Sequence, residues 1–188
     1  MTETDDNRLL LAYARDGDVK SLSALVTRHM KWLGAYLRSL LSSDADAEDA
    51  FQETWMRVIR SCGSYRGGSV RAYLTTIARS VAIDRFRRGR RPALSLDLPD
   101  DDGNDMKEAL ADPIPAPDEL FETSATAADI REAVKALPEG PREVLLMRIE
   151  SELAFKEIAE IMGIPLGTAL TWMRTATLKL KQKLGEKK

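Results

Sequence analysis

Apolar residues recur three and four positions apart through most of this 188-residue chain, the period of helices that each bury one face. Leu9, Leu10 and Tyr13 form a first group, and Leu22, Leu25, Val26, Leu33, Tyr36, Leu37 and Leu40 a second. Ala47, Ala50, Phe51, Thr54 and Val58 keep the same spacing and turn Asp46, Asp49, Gln52, Glu53 and Arg57 to the opposite side. Tyr73, Leu74, Ile77, Ala78 and Val81 close the series. The pattern predicts four helices, at roughly 5–16, 18–41, 45–61 and 69–88. Asp18 and Asp44 are expected to cap two of them, behind breaks at Gly17 and Ser42-Ser43.

The period lapses between Pro92 and Ala125, where five of the eight prolines fall, and then resumes. Helices are predicted at roughly 126–137, then from a first turn containing Pro141 to about 150, then at 154–162 and 166–184. Ile158, Ile161, Leu166, Met173, Ala176 and Leu180 supply one inward face, and Gly163 stands where a helix-turn-helix needs its turn. The expected architecture is all-α. Two small helical domains, 1–91 and 126–188, are joined by a flexible linker over 92–125.

Composition narrows the chemistry. One cysteine, Cys62, and one histidine, His29, allow neither an internal disulfide nor a soft-ligand metal set, so both are expected to be packing residues. No nucleophile, base and orienting group cluster, so neither an enzyme nor a cofactor is expected. No apolar run approaches the roughly 20 residues of a membrane span, which points to the cytoplasm without membrane insertion. The linker carries ten acids against Lys107 alone, a charge of −9 that leaves +7 on the rest of a chain whose total is −2. A basic body therefore hides behind an acidic average.

Two basic regions bear on function. "SCGSYRGGSVRAYLTTIARSVAIDRFRRGRR" joins a glycine loop, Tyr65 and Tyr73 as stacking candidates, and a helix ending in Arg79, Arg85, Arg87, Arg88, Arg90 and Arg91. Aromatic planes beside clustered cations suit unpaired bases, although an arginine run also complements a helix C-terminus and Tyr73 also fits a core. In the candidate helix-turn-helix, Arg174 is the single charged residue from Gly167 to Leu178, and Lys179, Lys181, Lys183, Lys187 and Lys188 follow it. Backbone amides at that helix start, with Thr168, can hold phosphate oxygens without a cation. A pure packing motif has the same spacing.

Taken in order, these segments resemble a sigma factor of bacterial RNA polymerase, of the extracytoplasmic-function type in the sigma-70 family. "DAEDAFQETW" is similar to the region two helix. The resemblance implies that Asp46, Asp49, Gln52, Glu53 and Arg57 dock on the clamp coiled coil of the polymerase's largest subunit. "YRGGSVRAYLTTIARSVAIDRFRR" is similar to the part that melts and captures the minus-10 element, implying roles for Tyr65, Arg66, Tyr73, Arg79, Ser80, Arg85, Arg87 and Arg88. "LPEGPREVLLMRIESELAFKEIAEIMGIPLGTALTWMRTATLKLKQKL" is similar to region four. This assigns the minus-35 element to Pro165, Gly167, Thr168, Leu170, Thr171 and Arg174. The polymerase flap region, promoter DNA and an anti-sigma factor are the further partners implied.

The resemblance has gaps. Where the family commonly reads Gly-Thr-Val-Lys-Ser-Arg, this chain reads Gly167-Thr168-Ala169-Leu170-Thr171-Trp172, and Tyr73 and Ser80 stand where Trp and Asn are common. Two rivals therefore stay in view: a stand-alone helix-turn-helix regulator, which usually dimerises on spaced half-sites, and a polymerase-binding regulator with weakened DNA reading. As a sigma linker, residues 92–125 must stretch well beyond their coil span of about 30 Å. Promoter elements about 25 base pairs apart lie roughly 80 Å from each other, within the linker's extended reach on the order of 110 Å.

Overall fold

The computed structural model describes residues 3–41, 43–89 and 126–185. The chain divides into two compact units, Met1–Arg90 and Arg91–Lys188, and among the described residues the regular structure of each is helical. The predicted linker, the lysines at 187 and 188, and the side chain of Arg88 lie outside what is described.

In the first unit, α1 (Glu3–Asp16), α2 (Val19–Leu40), α3 (Asp44–Ser61) and α4 (Val70–Gly89) enclose a core of Leu10, Leu25, Leu33, Tyr36, Leu37, Val58, Val70, Leu74 and Ala78. Asp18 caps α2 as expected, its carboxylate accepting from Lys20 N at 3.0 Å. The cap of α3 is Ser43 rather than Asp44. Ser43 Oγ accepts from Asp46 N at 3.1 Å and donates to Asp46 Oδ2 at 2.7 Å. The pairing serves a free helix N–H and places negative charge at the positive end of the dipole. Cys62 is buried at the start of a single 3-10 turn, Cys62–Ser64.

The first helix is held by charge as well as by Leu10. Asp6 and Asp5 of α1 both pair with Arg28 of α2, the latter at 3.0 Å. Beside them His29 is buried, its Nδ1 accepting from Trp32 Nε1 at 2.8 Å. This acceptor role assigns the ring proton of neutral His29 to Nε2, which lies 3.2 Å from Asp6 Oδ2. Burial lowers the His29 pKa, against the pull of Asp6 and with the repulsion of Arg71 and Arg28. Arg71 of α4 lies over the Trp32 ring, 5.5 Å from its centroid.

The second unit contains α5 (Ala127–Lys135), α6 (Glu139–Ile149), α7 (Phe155–Met162) and α8 (Leu166–Gly185). Thr126 opens α5 through reciprocal bonds. Its Oγ1 accepts from Asp129 N at 3.2 Å, and Asp129 Oδ2 accepts from Thr126 N at 3.1 Å. Val144, Leu145, Met147, Leu153, Ile158, Met173 and Leu180 form the core. Arg148 braces the connection from α6 to α7 by donating to Leu153 O at 3.0 Å and lying over the Phe155 ring. Gly163 ends α7 in the left-handed conformation, φ +67°, which lets Ile164 N reach Ala159 O at 3.0 Å and turns the chain into α8.

Candidate nucleic-acid and partner interfaces

The outward face of α3 follows directly from its period. With Ala47, Ala50, Thr54, Trp55 and Val58 buried, Asp46, Asp49 and Gln52 are exposed and Glu53 and Arg57 are half-buried at the edge. Met56 and Ile59, 47% and 41% exposed, continue the stripe. The inward apolar period alone does not reveal them, because they lie on the opposite side of the helix. Seven residues separate Asp49 from Met56 and Gln52 from Ile59, two helical turns in each case, so the spacing was there to be extended.

Arg57 and Arg85 tie this face to α4. Arg57 lies 2.9 Å from Glu53 Oε1 and 2.9 Å from Asp84 Oδ2, and it also donates to Ser80 Oγ at 3.3 Å. The hydrogen bond it donates to Glu53, followed by the one to Asp84, raises its pKa. Its guanidinium thus joins two helices of one unit. Arg85 Nη1 approaches Asp49 at 3.5 Å and Asp46 at 3.8 Å, linking residues read separately as polymerase and DNA contacts.

Tyr65 departs from the expected stacking surface. It is 8% exposed, its hydroxyl donates to Asn7 Oδ1 at 2.6 Å, and Asn7 Nδ2 donates to Gly68 O at 2.7 Å. The positive φ values of Gly67 and Gly68, +103° and +105°, fold the loop back onto α1, and the ring is enclosed there. Tyr73 packs 5.0 Å from Tyr65 between ring centroids and shares a 2.7 Å hydrogen bond with Ser61. Burial raises its pKa. Arg66, Ser80 and Arg87 are exposed, and Arg79 and Arg85 are half-buried.

In α8 the buried positions Met173, Ala176 and Leu180 match the predicted inward face, and Ala169 is buried beside them. Leu166 does not, being 47% exposed, because the helix begins there, ahead of the part that packs. Pro165, Thr171 and Arg174 are exposed, and Gly167, Thr168 and Leu170 are half-buried. The first-turn amides of α8 lack acceptors within the helix by geometry alone. Trp172 packs inward across Gly140 of α6. A Cβ built on Gly140 would fall 2.6 Å from Trp172 Cζ3 and 2.7 Å from Cη2.

Among the described residues no three His, Cys, Asp or Glu side chains gather where they could hold a metal ion. No described helix is long and apolar enough to cross a membrane.

Two family profiles match the two units. Sigma-70 region 2 matches residues 25–92, and sigma-70 region 4 matches residues 127–180. The chain is 30% identical over 176 residues to the RNA polymerase sigma-H factor of Pseudomonas aeruginosa, an alignment covering 89% of this chain and 88% of that protein. It is 28% identical over 166 residues to the ECF RNA polymerase sigma factor SigE of Mycolicibacterium smegmatis. There the alignment covers 88% of this chain and 62% of the longer relative. Among solved structures, the sigma factor RpoE in complex with the anti-sigma factor NepR from Bartonella quintana superposes with a TM-score of 0.67. It is 21% identical, covering 90% of this chain and 100% of that one.

Proposed function

The chain belongs to the ECF sigma factors of the sigma-70 family, non-enzymatic initiation factors that direct bacterial RNA polymerase to promoters, and from that premise we propose how its surfaces divide the work. The exposed stripe of Asp49, Gln52, Met56 and Ile59, edged by Asp46 and Glu53, docks on the clamp coiled coil of the polymerase's largest subunit. Acids supply orientation and encounter rate, and the two apolar residues supply burial. Arg57 contributes by holding Glu53 in place. The observation that carries this assignment is the continuation of an acidic face into exposed methionine and isoleucine on one helix.

The surface running from Arg66 through Arg79, Ser80, Arg85 and Arg87 faces the minus-10 element, and Arg88, next in the sequence, is assigned to the same contact. Tyr73 and the enclosed Tyr65 shape its floor. Residues 165–178 address the minus-35 element, with the amides at Gly167 and Thr168 fixing register on phosphates. The 92–125 segment is the tether between the two units. Because polymerase recruits the whole chain, the upstream contact becomes intramolecular, and a weak reader suffices. The anti-sigma complex of the Bartonella relative supports a comparable protein partner in the cytoplasm.

Transcription in vitro with purified core polymerase over a promoter library tests the proposal. A recurring two-part motif upstream of the start sites is expected; none would refute it. A second reading, a polymerase-binding regulator with weakened DNA reading, is favoured by the single cation in the reading stretch. Tight polymerase binding without promoter-selective initiation would establish that reading instead.

A further inference from the structure

The outward side of α8 is chemically unusual for a helix that addresses DNA. Opposite the buried Ala169, Met173, Ala176 and Leu180 stand Thr171, Arg174 and Leu178, with Thr175 at the edge and Leu170 on the flank. Leu178 is 59% exposed. Nothing in the unit's core explains an apolar residue at that position. The threonines reinforce the pattern. Thr171 Oγ1 donates to Gly167 O at 2.9 Å, and Thr175 Oγ1 donates to Thr171 O at 3.0 Å. A hydroxyl has one proton to give, and both are spent on the helix itself. Each threonine therefore offers an outside ligand a methyl group and an acceptor, but no donor.

Resting on the assignment of this helix to the minus-35 element, we propose that it reads the duplex through methyl groups. Leu170, Thr171, Thr175 and Leu178 form an apolar track for thymine C5-methyl groups in the major groove. Base edges differ there in a way that suits such a track. Thymine alone presents a methyl, adenine and cytosine present amino donors that the threonine oxygens can accept, and guanine presents only acceptors. Arg174 is the single side chain of this stretch that donates strongly to guanine. The preferred upstream element accordingly contains at least one thymine read by its methyl, and no more than one guanine contact. The occupant is DNA rather than protein because the track lies on the second helix of a helix-turn-helix, continuous with the first-turn amides, and within the region 4 match.

The test removes methyl groups without disturbing hydrogen bonding. Holoenzyme assembled from core polymerase and the full chain first selects a promoter from a random library. Each thymine of its upstream element is then replaced by uracil, one at a time on each strand. At one or more positions uracil is expected to weaken promoter binding about fourfold, the equivalent of ~0.8 kcal/mol for one buried methyl. Leu178→Ala or Leu170→Ala should remove that sensitivity. Leu178 is surface-exposed, so its replacement leaves the fold intact. An upstream element without thymine, or one bound equally well with uracil throughout, overturns the proposal while leaving the sigma assignment standing, and returns the apolar track to a protein partner. Failure to select any two-part promoter overturns both.

Discussion

Replacing Gly140 with alanine isolates the contact that decides what Trp172 does. Glycine in a helix interior is about 1 kcal/mol worse than alanine, and Gly140 is only the second residue of α6, so propensity alone forecasts a small gain in stability. The geometry forecasts the reverse. The new methyl would lie 2.6–2.8 Å from three carbons of the Trp172 six-membered ring. A rigid indole cannot yield those tenths of an ångström without moving as a whole. Overpacking of this kind costs about 1–3 kcal/mol, which exceeds the propensity gain. A net loss of about 1–2 kcal/mol is expected, confined to the second unit. Amide hydrogen exchange on the intact chain reads this directly, because opening free energy maps onto exchange rate. Peptides from α6 and α8 should exchange about 5- to 30-fold faster in the variant, with α1 to α4 unchanged. Adding Trp172→Leu should recover part of the loss, a coupling of roughly 1 kcal/mol or more between residues in contact. Unchanged or slower exchange in α8 would refute the packing of Trp172 on Gly140, and would place the indole on the outward face of α8.

Three further outcomes are expected. Gln52→Ala combined with Ile59→Ala should weaken binding to core polymerase by at least tenfold in a competition assay, since the pair removes both a polar contact and an exposed apolar anchor from the proposed docking stripe. Arg174→Ala should reduce discrimination between matched and mutated upstream elements by roughly 1–3 kcal/mol, measured as the ratio of initiation rates. Acidification should destabilise the first unit through His29. Its folded pKa lies below the ordinary 6.5, so beneath that pH the unfolded chain takes up a proton that the folded chain refuses. Stability is then complete above about pH 6.5 and falls as pH drops toward the folded value, by up to ~1.4 kcal/mol per unit. Denaturant titrations of the wild type and His29→Asn at pH 7 and pH 5.5 check this. The variant should lose the part of the pH dependence that lies above the carboxylate range.

What could be read from the sequence was mostly what local spacing controls. The eight α-helices among the described residues follow from three-and-four periodicity, and the Asp18 cap from a short polar residue behind Gly17. Ser43 and Asp44 are both competent caps one residue apart, and only the reach of Ser43 Oγ to Asp46 N separates them. What local spacing conceals comes mostly from partners distant in sequence. Tyr65 sits among glycines and arginines, a composition that suggests an open loop, yet its hydroxyl finds Asn7, 58 positions away. Trp172 stands where the resemblance leads one to expect a cation, yet its ring packs across Gly140 on another helix. Glu152 adopts a left-handed backbone, φ 53°, with no glycine to announce it. Arg57 and Arg85 show the same limit for charge. Each belongs to a plausible outward cluster in its own helix, and each is drawn into pairs 27 or more positions away, with Asp84 or with Asp46 and Asp49. Such exposed pairs are worth only about 0–1 kcal/mol. Too weak to fix the fold, they would let the acids of α3 exchange Arg85 for a polymerase cation, as the proposed docking requires.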